Sequence, residues 1–139
     1  MSGQPDDPTL QRILRETRTI AVVGASANHY RPSYDIYSYL IGTGQYQVYP
    51  VNPSITEIDG ALVYPSLASL PVVPDLVDVF RRHDQLPSVL ADTLALEPHP
   101  KTLWLQQDLW HEPVARDAAA AGIQVVMDRC LMVEHARLA

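Results

Sequence analysis

A chain of 139 residues suits a single domain, residues 1–139, built on one hydrophobic core. The formal net charge of −6 argues against nucleic acid or an anionic membrane surface as the main partner. The apolar runs are too short to cross a bilayer, no signal peptide is recognisable, and the single cysteine excludes an internal disulfide framework, so a cytoplasmic location is expected.

The first predicted elements are a helix and a buried strand. Asp7 as N-cap and Pro8 as the first helical residue open a helix that extends to about residue 18 and is expected to pack on the domain. The β-branched run Thr19–Val23 stops at Gly24, which is typical of a buried strand that ends in a tight turn.

From there, strands and helices alternate to the end of the chain. The second strand contains Pro50, which suits a strand end because proline cannot donate a hydrogen bond to the sheet. One helical turn is expected after Pro65. The remaining predictions are strands at about 47–51, 75–80, 102–105 and 123–127, and helices at about 32–42, 86–96, 113–121 and 130–138.

Apolar strands that alternate with helices are typical of a mostly parallel sheet covered on both faces. The sequence therefore predicts the α/β class, with a Rossmann-like, doubly wound sheet of about five strands flanked by helices in three layers. Ligands of such sheets bind beyond the carboxyl ends of the strands. Four arginines follow predicted strands and are expected to converge on that rim: Arg31, Arg81, Arg82 and Arg129.

The segment after the first strand has the features of an anion site. Gly24 permits a tight turn, Ser26 adds a hydroxyl donor, and Arg31 adds a charged donor fork beside the start of a helix. Together they suit a pyrophosphate. An ordinary strand-to-helix turn with a solvated arginine explains one glycine and one serine equally well, so the residues alone leave both interpretations open.

Two common nucleotide sites do not fit this sequence. The GxGxxG fingerprint is absent after Gly24, and the second strand ends in Val51-Asn52-Pro53 without the carboxylate that binds the ribose of NAD. No GxxxxGK[ST] segment occurs, which argues against a P-loop ATP site. A nucleotide with several phosphates and no NAD-like ribose contact fits better.

Five spaced motifs carry a resemblance to a known family. In chain order they read GASANHYRPSY, YPVNP, VDVFRR, WLQ and MDRCLMVEH, within residues 19–138. The chain resembles the small CoA-binding proteins, which are similar to the CoA-binding domain of the succinyl-CoA synthetase alpha subunit in free-standing form. This resemblance implies a Rossmann-type domain that binds coenzyme A or an acyl-CoA at the carboxyl ends of the strands. It implies no catalysis by the domain alone, because the synthetases also need a phosphohistidine segment and an ATP-grasp partner.

The same resemblance implies which residues surround the ligand. The implied set is Gly24, Ser26, Arg31 and Ser33 around the phosphates, Asn52 and Pro53 beside the adenosine-phosphate portion, Phe80, Arg81 and Arg82 on the next wall, and Gln106 and Arg129 on the far side. Ala25 and Cys130 complete the expected binding set.

One position departs from the pattern of that family. Related sequences usually have a glycine in the turn after the WxQ motif, where this chain reads Gln106-Gln107-Asp108. A carboxylate at this turn can repel phosphate or narrow the path of the pantetheine arm. The identity of any bound thioester therefore stays open.

Cys130 raises a second hypothesis, a thiol-dependent enzyme or redox-responsive protein that acts on CoA thioesters or disulfides. A small buried cysteine explains the same residue without chemistry. A third hypothesis is a regulatory subunit whose nucleotide pocket has lapsed and which works through protein contacts. A homo-oligomer or an unidentified protein partner is a separate expectation. No metal site is predicted, because His111-Glu112 does not complete an HExxH motif, and Glu134-His135 is expected to be a helical cap or surface pair.

Overall fold

The computed structural model describes residues 4–139, and its centre is a sheet of five parallel strands in the order β2-β1-β5-β6-β7, with β3 and β4 in a separate antiparallel hairpin. The strands are β1 (Thr19–Val23), β2 (Gln47–Val51), β3 (Glu57–Ile58), β4 (Ala61–Leu62), β5 (Leu76–Val79), β6 (Thr102–Leu105) and β7 (Gln124–Val126). The helices are α1 (Asp7–Glu16), α2 (Pro32–Gly42), α3 (Leu86–Leu94), α4 (Glu112–Ala120) and α5 (Leu131–Leu138), with single 3₁₀ turns at Leu67–Ser69 and His83–Gln85.

Helices cover both faces of the sheet, which confirms the predicted three-layer α/β fold. Leu10 of α1, Leu40 of α2 and Leu131 of α5 share one core with alternate residues of β1. Leu86 of α3 and Ala118 of α4 belong to the second core, which the remaining residues of β1 join. Each strand is apolar on both faces because each face packs against helices.

The order in which successive strands are added to the sheet reverses at β1, although all five strands are parallel. The chain runs from β1 outward to β2, then crosses back so that β5 pairs with the other side of β1. The carboxyl ends of β1 and β5 therefore flank the topological switch point, where doubly wound sheets bind ligands.

Two local predictions are corrected by the structure. The N-cap of α1 is Asp6 rather than Asp7, because the Asp6 carboxylate accepts a hydrogen bond from the Thr9 amide at 3.0 Å. Pro50 lies within β2 rather than at its end. The sheet tolerates it there because β2 is the edge strand and Pro50 faces the outer side, where its carbonyl accepts from the Tyr64 amide at 3.0 Å and no strand needs an N–H from it.

The β3–β4 hairpin was not predicted. Asp59 and Gly60 form its turn with φ angles of 49° and 86°. Two successive positive φ angles are typical of the tight type I′ turn, for which Asp-Gly is a favoured pair. Strands of two residues are too short to show an alternating apolar pattern, which explains why no strand is predicted here from the residues alone.

Neither a membrane-spanning helix nor a metal-binding cluster is found in residues 4–139. No helix in that range is long and apolar enough to cross a bilayer. Over the same residues, no group of three or more His, Cys, Asp or Glu side chains is placed to hold a metal ion.

Candidate ligand-binding cleft at the carboxyl edge of the sheet

A cleft of about 660 Å³ opens at the carboxyl ends of β1, β5 and β6. It brings together most of the residues that the sequence singled out. Its lining comprises Gly24, Ala25, Ser26, Arg31, Pro32, Ser33, Ile36, Asn52, Phe80, Arg81, Arg82, Gln106, Gln107, Asp108, Leu109 and Cys130. Of the thirteen residues in the implied binding set, only Pro53 and Arg129 lie outside this lining.

Gly24 sets the path of the chain from β1 into the cleft. Its φ of 88° lies in the left-handed region that favours glycine, and a Cβ there would be 2.0 Å from the carbonyl oxygen of Phe80. The Gly24 amide also donates to the carbonyl of Val51 at 2.9 Å. The glycine is therefore required by the close approach of β1 and β5, rather than by direct access to a phosphate.

The loop after Gly24 is held by side chains that its own sequence supplies. Ser26 Oγ accepts from the Asn28 amide at 3.0 Å, and Asn28 Oδ1 accepts from the Tyr30 amide at 3.0 Å. From the turn after β2, Asn52 Nδ2 donates to the Ala25 carbonyl at 2.8 Å. Ser26 and Asn52 therefore shape the loop, and the Ser26 hydroxyl keeps its own proton for donation to a ligand.

The start of α2 faces the cleft. Arg31 is the N-cap residue, and no side chain caps the helix. Pro32 and the buried Ser33 follow it and line the same wall. Pro32 has no N–H and the Tyr34 amide donates to the Arg31 carbonyl at 3.0 Å, so the Ser33 N–H is left at this helix start, where the helix dipole also favours an anion.

Arg31, Arg81 and Arg82 give the cleft its positive charge. Arg31 and Arg82 are exposed, and Arg82 pairs with Asp84 at 3.5 Å. The half-buried Arg81 also lines an adjoining cavity of about 290 Å³, and Pro53 lies in that cavity. Pro53 is thus separated from the main cleft by Arg81, which borders both spaces.

Arg129, the fourth arginine expected at this rim, is not among the residues that line the cleft. Its guanidinium bonds Glu134 Oε1 at 2.6 Å, and Glu134 also accepts from Arg137 at 2.8 Å. Burial alone would raise the pKa of Glu134, but the bonds from Arg137 and Arg129 hold that pKa below its usual value. A buried carboxylate needs such partners, and Arg129 is one of the two that Glu134 has.

The expected surface pair Glu134-His135 is also wrong, because both side chains are buried. His135 bonds the Tyr39 hydroxyl at 2.8 Å and the Gln45 side-chain oxygen at 2.9 Å. Burial lowers the pKa of His135. His135 therefore joins α5 to α2 and to the turn that follows α2.

The far wall is built by the turns after β6 and β7. The buried Gln106 accepts from the Leu131 amide through Oε1 at 3.1 Å, and so fixes the start of α5. Cys130 is the half-buried N-cap residue of that helix. Asp108 is exposed in the cleft with a φ of 73°, and its amide donates to Asp128 Oδ1 at 2.7 Å.

A fully buried carboxyl group was missed by the sequence reasoning. Asp78 lies in β5 opposite Val22 of β1 and Trp104 of β6. Neither of its oxygens has a hydrogen-bond partner among the described residues, and burial raises its pKa well above the ordinary value. A charged residue inside an otherwise apolar strand was the signal that could have indicated it.

A second cavity lies at the opposite, amino edge of the sheet. It measures about 500 Å³ and is lined by charges of both signs, including Arg12, Glu16, Asp75 and Lys101. Mixed charge suits a phosphate-rich ligand less well than the basic cleft does.

Fold and cleft together define the class: a Rossmann-like α/β domain with a basic cleft at the switch point of its sheet. The chain belongs to the CoA-binding domain family, whose model matches residues 18–136. A relative from Bacillus subtilis (strain 168), the uncharacterized protein YneT, is 36% identical over 132 residues, which cover 95% of this chain and 96% of that protein. The resemblance drawn from the five motifs is confirmed.

Solved structures agree with this assignment. The structure of cell-free ID.343 from Thermus thermophilus is 39% identical with a TM-score of 0.90, and the match covers 97% of this chain and 100% of that one. The dinucleotide-forming acetyl-coenzyme A synthetase 1 of Ca. Korarchaeum cryptofilum, solved with phosphate and ADP, is 26% identical with a TM-score of 0.72. That match covers 84% of this chain but 26% of the synthetase, so the same fold also occurs as part of a much longer chain.

Proposed function

We propose that the protein binds coenzyme A or an acyl-CoA in the cleft at the carboxyl edge and performs no chemistry of its own. The observation that carries the proposal is the grouping of Arg31, Arg81 and Arg82 around one cleft in a chain of net charge −6. Membership of the CoA-binding domain family supports the same ligand.

The chemistry of the lining suits the parts of that ligand. Coenzyme A carries a pyrophosphate and a 3′-phosphate, and guanidinium groups, together with a backbone N–H at a helix start, are strong donors to phosphate oxygens. Ser26, Arg31, Ser33 and the start of α2 would hold the pyrophosphate. Arg81, between the cleft and the adjoining cavity, would hold the phosphorylated adenosine together with the Asn52–Pro53 turn.

The other lining residues would accommodate the pantetheine arm. Phe80, Gln106 and Cys130 surround the remaining space, and the Gln106 oxygen already bonds α5. Arg82 adds charge at the exposed mouth. In this assignment Gly24 and Ala25 act by shaping the turn rather than through side chains.

Native mass spectrometry of the purified protein tests the proposal. We expect a one-to-one complex with CoA, a smaller population with dephospho-CoA, and none with pantetheine, because the arginines recognise phosphate. The thermal unfolding temperature should rise with ligand concentration in the same order. The absence of both a complex and a thermal shift at millimolar CoA would overturn the proposal.

The position of Cys130 favours a second candidate, a thiol that exchanges with CoA disulfides. Its thiolate would attack a CoA mixed disulfide, form a bond to the CoA sulfur, and release the other thiolate. This candidate predicts rapid alkylation of Cys130 near neutral pH and protection by bound CoA. Slow alkylation that CoA does not change would remove its basis.

A further inference from the structure

The exposed His29 and Asp59 and the half-buried Tyr34 form a clamp between the loop after Gly24 and the β3–β4 hairpin. His29 Nε2 lies 3.2 Å from one oxygen of Asp59, and the Tyr34 hydroxyl donates to the other oxygen at 2.5 Å. The rings of His29 and Tyr34 stack with their centroids 4.0 Å apart and their planes at 20°. The Asp59 carboxylate therefore contacts both aromatic side chains, and the two rings also stack on each other.

The clamp brackets cleft residues directly. Arg31, Pro32 and Ser33 lie between His29 and Tyr34 in the chain, and all three line the cleft. The stack brings residues 29 and 34 together, so the intervening segment must loop away from them. The Tyr34 amide also donates to the Arg31 carbonyl at 3.0 Å, which tightens the same loop.

The hairpin gives the clamp a fixed support. Ile58 and Val63 are buried in the core, and the Val63 amide donates to the Thr56 carbonyl at 3.0 Å. Asp59 lies in the tight turn between them, which restricts its backbone to a positive φ. Bonds from Tyr34 and then His29 hold the pKa of Asp59 below its usual value, so its carboxylate stays ionised.

We infer that Asp59 is a positioning residue for phosphate recognition, acting through His29 and Tyr34 to hold the Arg31–Ser33 segment in its binding conformation. This inference rests on the proposed CoA function. Asp59 is outside the cleft lining and needs no contact with the ligand. Its contribution is preorganisation, since a loop that is ordered before binding loses less entropy when the ligand arrives.

Position 59 offers variants that separate the carboxylate from the turn. Asp59→Gly removes the side chain and keeps a residue that tolerates positive φ. Asp59→Asn keeps the turn preference and an oxygen acceptor for the Tyr34 hydroxyl, and its amide can donate to His29. Tyr34→Phe removes only the hydroxyl and leaves a ring to stack.

The experiment combines hydrogen exchange of the ligand-free variants with CoA titration. Asp59→Gly should speed amide exchange in residues 25–34 and weaken CoA binding by about fivefold, within the range of exposed charged contacts. Asp59→Asn should restore both values to near wild type. Adding Tyr34→Phe to Asp59→Gly should weaken binding little further, because both changes break the same contact.

The readouts distinguish the failure of each idea. If wild-type protein binds no CoA but Asp59→Gly still speeds exchange in residues 25–34, the clamp exists and the proposed ligand is wrong. If wild-type protein binds CoA and Asp59→Gly changes neither exchange nor affinity, the clamp has no positioning role. Failure of Asp59→Asn to rescue would likewise contradict a hydrogen-bonded clamp.

Discussion

The carbonyl oxygen of Phe80 occupies the place where any side chain on Gly24 would begin. A Cβ on Gly24 would lie 2.0 Å from that oxygen, and the Phe80 amide donates to the Val23 carbonyl at 2.8 Å. The ends of β1 and β5 are thus held together at the switch point of the sheet. Gly24 and Phe80 both line the cleft, so the shape of the cleft at this junction depends on Gly24 having no Cβ.

Gly24→Ala should therefore be strongly destabilising. The alanine would combine an unfavourable positive φ with a backbone clash, so we expect a loss of about 3 kcal/mol or more in the free energy of unfolding. Urea denaturation measures it. Gly44→Ala is the matched control, because Gly44 has a φ of 65° and a Cβ there would have nothing within 4 Å. An equal loss in both variants would show that the clash with Phe80 is unimportant.

Arg31 and Arg129 should respond differently to replacement by alanine. Arg31→Ala should weaken CoA binding about tenfold and leave the unfolding free energy nearly unchanged, because the side chain is exposed at the cleft. Arg129→Ala should leave affinity nearly unchanged and lower stability by about 1–3 kcal/mol, because the buried Glu134 loses a partner. Titration and urea denaturation of both variants measure the contrast. The reverse pattern would place Arg129 in the binding site.

Asp108→Gly should improve both stability and CoA affinity. Glycine adopts the φ of 73° at this position without the strain of a side chain, a gain of about 1 kcal/mol, and it removes a carboxylate from the cleft. Asp108→Asn separates the effects, since it removes the charge but keeps the strain. Calorimetric titration and thermal unfolding are the measurements. Unchanged affinity in both variants would mean that the carboxylate does not oppose the phosphates.

Asp78→Val should stabilise the protein, because it replaces a fully buried carboxyl group, unpaired among residues 4–139, by an apolar side chain of similar size. We expect about 1–3 kcal/mol from the removed desolvation penalty. Urea denaturation of both proteins provides the comparison. A loss of stability would show that the carboxyl group has a partner, such as an ordered water.

The Asp78 effect has a defined pH dependence. The pKa of this carboxyl group is raised in the folded state, so folding takes up a proton above the ordinary pKa near 3.8. Wild-type stability from this group is therefore lost as the pH rises from about 4 towards the raised pKa. The stability gain of Asp78→Val should grow over the same interval in urea denaturation series. A gain that shrinks with rising pH would contradict the sign.

The sequence predicted the sheet well because its strands are short apolar runs that end at turn residues. Thr19–Val23 and Gln47–Val51 match the observed β1 and β2 in full. The first cap was misplaced by one residue because Asp6 and Asp7 are equally good cap residues, and only the Thr9 amide decides between them. Choices of this kind depend on backbone geometry rather than residue type.

The site was predicted as far as it depends on segments that follow strands. Arg81 and Arg82 reach the cleft because they follow the end of β5 closely, and Arg31 reaches it at the start of α2, after the loop from β1. Arg129 has the same kind of position, but the buried Glu134, five residues further along, binds it instead. The Asp59 clamp was not predictable either, because it joins residues 25 and 30 positions apart through a turn that the sequence left undefined.

Calorimetric titration of CoA into three matched proteins tests the central claim most directly. Wild type and Arg12→Ala should bind one CoA per chain with equal affinity, since Arg12 lies in the cavity at the amino edge. Arg31→Ala should bind about tenfold more weakly, because it removes a phosphate donor from the proposed cleft. No binding by wild type, or a loss of affinity in Arg12→Ala rather than in Arg31→Ala, would contradict CoA recognition at the carboxyl edge.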